Sequence, residues 1–219
     1  MSLENAGNSF VPVNQIHMNT PKRNALYIGI LFIIPFFAYS TADGFISTAL
    51  NSTAINSNSL IIGAALVLVN ALCVALIGIV THTTLSHLNP AVTKAYRLTR
   101  LLEALGFIII AATVLYFTYS TQHNVSSTKN TLFWAYQSAM LVLSLGSLPF
   151  FKFLQQQQII PRYMSIWAIG GYVLLATGSL LEMAGLPFGL YLSIPGGLFE
   201  LVFAIRLMVK GFTTANHTI

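Results

Sequence analysis

Few residues in this chain could do chemistry, and most of them stand inside or at the edges of apolar runs. Glu200 and Arg206 interrupt the last run and Lys210 closes it. Glu182 lies near the end of the run before it, and Arg100 and Glu103 sit three residues apart in a third. Asn70 occupies the centre of residues 60–81, which carry no charge. In hydrocarbon an ionised side chain is costly and is retained where it pairs, faces a wet cavity or conducts protons or ions. Glu200 is the leading candidate, because it lies just past Pro195-Gly196-Gly197, a stretch that can free backbone carbonyls. Six steps of about 100° set positions 200 and 206 well apart on one helix. Arg206 is therefore not the expected partner, and Arg100 of the third helix is. The amide of Asn70 must face another helix, as a packing hydrogen bond or as a substrate contact. The plain alternative for the set is a structural ion-pair network of Glu200, Glu103, Arg100 and Arg206 between helices.

Composition identifies the solvent these groups are held against. Of 219 residues 55% are hydrophobic and only 7% charged, with a mean hydropathy of +0.74. A soluble domain of average composition carries about a quarter charged residues, so most of this surface must meet lipid. The net charge of +5 comes from ten scattered Lys and Arg. It reports topology, since a nucleic-acid interface needs them clustered on a water-facing surface; no nucleic-acid partner is expected. Cys73 is the single cysteine, so neither a disulfide within the chain nor a cysteine metal site can form.

Six spans follow in order, at about 25–45, 60–81, 95–119, 131–153, 163–184 and 188–212. Each is near the ~20 residues a bilayer core demands. Residues 1–24 read as a polar cytoplasmic tail and 213–219 as a second. The basic pair Lys22-Arg23, the apolar core after it and the small residues near Ala38, Ser40 and Ala42 also resemble a cleavable signal, against which the long leading region counts. Asn89-Pro90 opens the third helix, with Asn as N-cap and Pro where its missing N–H is not needed. Lys94, Arg97 and Arg100, spaced by three, form a slanting basic stripe for headgroups, and Glu103 can pair with Arg100. Gly146-Ser-Leu-Pro149 predicts a kink or a loosened last turn, Glu182 is expected to reach water, and Pro195 either kinks the sixth helix or opens it. Gly63, Ala71, Ala75 and Gly78 allow close helix approach.

The fold class is thus all-α, a polytopic transmembrane helix bundle with both termini cytoplasmic. Lys22, Arg23, Lys94, Arg97, Arg100, Lys152, Arg162 and Lys210 fall on one side, Arg206 leans that way, and Lys129 lies opposite. Lys94, Arg97, Arg162 and Lys210 are the expected contacts to anionic lipid headgroups of the cytoplasmic leaflet. Asn51-Ser-Thr and Asn124-Val-Ser are glycosylation sequons on the other side, without weight in a bacterial source.

Three motifs carry a resemblance. Arg100-Leu-Leu-Glu103-Ala, Ile160-Pro-Arg162 ahead of a span containing Trp167, and Pro195-Gly-Gly-Leu-Phe-Glu200 leading to Lys210-Gly-Phe212 resemble the bacterial family catalogued as domain of unknown function 4386. The likeness runs from about Lys22 to Phe212 and is most specific in the last fifty residues. It implies a multi-pass inner-membrane protein with those charged positions at its core, and it implies no activity. Arg206 departs from the apolar or Trp-rich turn expected after Glu200, which puts any shared role of that turn in doubt.

Three function classes follow. A small transporter or ion/proton pathway using Glu200 and Glu103 predicts carboxylates lining a wet cavity; with no inverted repeat evident, six spans must oligomerise or move as one unit. A sensor, regulatory or partner-binding protein predicts a closed, dry bundle. An enzyme would need His or Asp inside the spans, whereas His17, His82, His87, His123 and His217 read as loop or tail residues, and His82 and His87 share no helix face. A serine nucleophile would lack a base and a haem its axial ligands. No catalytic residue, metal or cofactor is therefore assigned.

Overall fold

The computed structural model describes residues 19–52, 56–121 and 124–212. Glu4, His17, His123, His217, the expected C-terminal tail and most of the N-terminal one lie outside them. Six helices account for nearly all of the described residues, with no strand among these. They are α1 (Asn19–Asn51), α2 (Ser57–Leu85), α3 (Pro90–Tyr119), α4 (Val125–Gln156), α5 (Arg162–Met183) and α6 (Gly189–Lys210). All six are long and apolar enough to cross a membrane, and the chain is a multi-pass helical membrane protein. In lipid a helix satisfies its own backbone, so helices carry the whole crossing.

Local chemistry sets several boundaries. The side chains of Asn56, Asn89 and Asn124 accept hydrogen bonds from the amides of Ser59, Val92 and Ser127 and so cap α2, α3 and α4. Asn124, a glycosylation sequon residue, thus has a structural task. The first four helices extend beyond the expected spans, whereas α5 and α6 match theirs to within two residues. His82 falls in the last turn of α2, not in a loop as expected, and its Nδ1 lies 3.1 Å from the Thr93 hydroxyl. Around 146–149, where the sequence predicts a kink or a loosened last turn, α4 carries Pro149 inside and stays helical to Gln156. The sixth helix runs unbroken through Pro195 instead of opening there.

Each helix packs on the next, and α6 packs on α1, closing a ring of six. Long-range contacts fix the two ends. Asn24 at the start of α1 donates to Thr84 at the end of α2, while Lys129 at the start of α4 donates to Asn51 at the end of α1, at 2.6 Å. One end therefore carries Lys22, Arg23, Lys94, Arg97, Lys152, Arg162, Arg206 and Lys210; the other carries Lys129, with Asp43 and Glu182 nearby.

In the half nearer the basic end, aromatic rings fill the ring's interior. Tyr96 stacks on Phe150 with centroids 3.8 Å apart. Phe151 meets Phe199 at 5.0 Å and Phe203 at 5.2 Å, edge to face. Without a hydrophobic driving force between helices in lipid, such packing and small-residue contacts hold the bundle. At mid-membrane α5 and α6 touch through glycines: a Cβ added to Gly171 would stand 2.9 Å from the Cα of Gly196.

Candidate functional site

Arg100 is the hub, and helix geometry brings it there. Three residues advance a helix by about 300°, so positions 94, 97 and 100 swing by about 60° at each step. Lys94 is exposed, Arg97 half-buried and Arg100 only 2% exposed. The expected basic stripe thus ends by turning inward, and Arg100 is no headgroup ligand. Gly78 of α2 makes room for it, since a Cβ there would lie 2.7 Å from the Cβ of Arg100.

The Arg100 guanidinium then meets four groups from three helices. Its Nη1 donates to Glu103 Oε2 at 3.0 Å, closing the anticipated pair one turn along. Its Nε donates to the Tyr96 hydroxyl at 2.9 Å. The plane lies over the rings of Phe32 and Tyr96, 5.1 and 5.2 Å from their centroids, within the reach of a cation–π attraction. Nη2 stands 3.6 Å from Glu200 Oε1. That distance permits an ion pair but is too long for a hydrogen bond, and Nη2 has no other hydrogen-bond partner.

Glu200 lies at mid-membrane, eleven residues after Gly189 and ten before Lys210. The Tyr172 hydroxyl of α5 donates to its Oε1 at 2.7 Å. Glu103 is 3% exposed, whereas the Glu200 side chain is 24% exposed. Glu200 is thus the accessible carboxylate of the pair. One guanidinium faces two carboxylates, so the fully ionised cluster carries one net negative charge. A single proton or small monovalent cation neutralises it.

The cluster opens into a cavity of about 380 Å³ to which all six helices contribute. Arg100, Glu103, Glu200, Tyr172 and Asn70 line it, and the rest of the wall is largely aromatic and aliphatic. Asn70 is 2% exposed and its Nδ2 has no hydrogen-bond partner. A buried amide donor without a partner is costly, and this one belongs to a residue that lines the same cavity as the charges.

Of the five intramembrane polar residues singled out from sequence, the structure gathers Glu200, Glu103, Arg100 and Asn70 and leaves out Arg206. Arg206 donates instead to the Ile159 carbonyl at 3.3 Å, in the α4–α5 connection at the basic end. It cannot belong to the network proposed for it, because its helix position points it away from Glu200. Lys94, Arg162 and Lys210 are exposed at the same end and touch none of the cluster. Glu182 is half-buried, and its Oε1 accepts the Gly189 amide at 2.9 Å, capping α6 rather than simply extending to water.

Sequence reasoning passed over Tyr172, Tyr96 and Phe32. Tyr96 had a signal, because it precedes Arg100 by four residues and so shares its face. Tyr172 had another: a phenol in mid-span needs a polar partner. Nothing in the sequence marks Phe32. Among the described residues no three His, Cys, Asp or Glu come together as a metal site would need.

The family model described as domain of unknown function (DUF4386) matches residues 25–211. No curated protein and no solved structure matches the chain.

Proposed function

The chain belongs to this family, whose description assigns no activity, and from that premise we propose that it is a small transporter or ion pathway. Its site binds a proton or small monovalent cation at Glu200. The observation that carries the reading is the excess of carboxylate over guanidinium in a cluster opening on a cavity inside a membrane bundle. Glu200 is the exchanging group, Arg100 holds it in place electrostatically, Glu103 offsets part of the Arg100 charge, and Tyr172 orients the Glu200 carboxylate. Asn70 supplies a donor or acceptor to whatever enters. A sensor or partner-binding protein would be served by a closed, dry interior, so the cavity favours permeation.

In this reading the protein resides in a bacterial inner membrane with both termini cytoplasmic. The concentration of basic residues at one end supports that orientation. Lys94, Arg97, Arg162 and Lys210 rest against anionic headgroups there. Tags at both termini are then inaccessible in intact cells.

The test is flux into liposomes holding the purified protein, with a trapped pH dye and, separately, with Na⁺ and K⁺ gradients. Wild type conducts one of these, and Glu200→Gln, folded by its detergent melt, loses the flux. Wild-type flux in Glu200→Gln, or no flux at all, refutes the proposal.

A further inference from the structure

A second cavity of about 200 Å³ adjoins the first. Gln137 and Ser179, both buried, and Glu182 line it, and Tyr136, Leu190 and Ser193 are among the residues common to both cavities. At most a layer of side chains therefore divides them. Ser179 stands seven residues past Tyr172 on α5 and Glu182 ten residues past it. That places them about 10 and 15 Å nearer the end that lacks the basic belt. Polar side chains thus form a file from that end inward: Glu182, then Ser179 and Gln137, then Ser193, then Tyr172 and Glu200.

The opposite direction is shut. Tyr96, Phe150, Phe151 and Phe203 lie between the cluster and the basic end, each at most 2% exposed, and Phe199 packs beside the cluster against Tyr172. The two ends also differ in field. Eight Lys and Arg side chains crowd the basic end, whereas near the other the described charges are Asp43, Glu182 and Lys129, the last held by Asn51. Clefts lined by one sign of charge focus ions of the other sign. One Glu182 oxygen accepts the Gly189 amide, and an ionised carboxylate has room for further partners.

We infer that Glu182, with Gln137 and Ser179, forms a second site: an outer vestibule for small monovalent cations, hydronium included. Through it Glu200 is loaded from the end opposite the basic belt. The inference rests on the proposed function for the identity of what reaches Glu200, but the water access it requires can be measured without any transport.

The experiment uses the full chain in spheroplasts and in inverted vesicles, with Cys73→Ala removing the only cysteine. Lys129→Cys marks the side on which the vestibule opens. Ser193→Cys reports the wall common to both cavities, and Ser179→Cys replaces it if that variant does not assemble. Ser147→Cys, buried in α4 nearer the basic end, reports the closed side. Two membrane-impermeant thiol reagents are applied, trimethylammonium-ethyl and sulfonato-ethyl methanethiosulfonate. The wall cysteine reacts only from the Lys129 side, with a preference for the cationic reagent about tenfold above that of a small free thiol, and Glu182→Gln removes most of that excess. Ser147→Cys stays unlabelled from both sides. A wall cysteine that is silent from the Lys129 side, or whose preference for the cationic reagent matches a free thiol's and is unchanged by Glu182→Gln, overturns the vestibule. Labelling as expected alongside flux that ignores Glu200→Gln would overturn the proposed function and leave the vestibule standing.

Discussion

Level with Tyr96 and Phe150 the interior of this bundle is full; level with Ser193 and Tyr136 it holds two cavities. The same six helices build both halves, so the difference lies in what they project inward. The half nearer the basic end presents large rings that interlock edge to face. The other half sets tyrosines, serines and glycines among its aromatic and aliphatic side chains, which leaves space and offers polar atoms. Arg100 and Glu200 sit where the two meet. Aromatic rings pack against one side of the cluster, and the two cavities lie on the other.

The strongest way to break the comparison is to remove the cation at the boundary. Arg100→Leu leaves two carboxylates in the interior with no guanidinium and destabilises the protein by about 3–5 kcal/mol. Adding Glu103→Gln and Glu200→Gln recovers a large part of the loss; detergent melting of the single and triple variants measures both. Phe151→Ala empties the sealed half and lowers stability by about 3 kcal/mol. It also makes Ser147→Cys reactive from the basic side, which checks that the rings are the barrier. Ser193→Leu sharpens the contrast from the other half. Added volume enters existing space, so the melt changes by about 1 kcal/mol or less, yet flux through the shared wall falls at least tenfold. The smallest effect belongs to Lys94→Gln at the exposed start of α3, which leaves melting, flux and tag accessibility unchanged.

Much of the frame was legible in the sequence because the bilayer leaves few choices. Runs of about twenty apolar residues must be helices, and Asn89-Pro90 announced its helix start. Helix geometry spoke against Arg206 as a partner for Glu200 within its own helix and made Arg100 of the third helix a candidate; the structure sets Arg100 Nη2 3.6 Å from Glu200 Oε1. The misreadings have separate causes. Residues 94, 97 and 100 looked like one stripe because spacing by three nearly repeats a turn, and the accumulated shift carried Arg100 into the core. Glu182 looked solvated because the Gly189 amide comes to it from the following helix. Tyr172 and the cavities depend on how helices meet, and no single run of residues records that.

The glycine contact between α5 and α6 has a mechanical consequence. Where Gly171 meets Gly196 the two backbones touch with no side chain between them, so a rocking α6 would turn about that contact. From Gly196 the helix extends seven residues to Gly189 and fourteen to Lys210, arms of about 10 and 21 Å. Any rocking of α6 about that point swings the basic end about twice as far as the vestibule end, and in the opposite direction. Glu200, about 6 Å along the longer arm, would move with the basic end, a little over half as far as the vestibule end moves the other way. Such a lever would give the aromatic seal the largest stroke, the outer mouth about half of it in the opposite sense, and the carboxylate less than either.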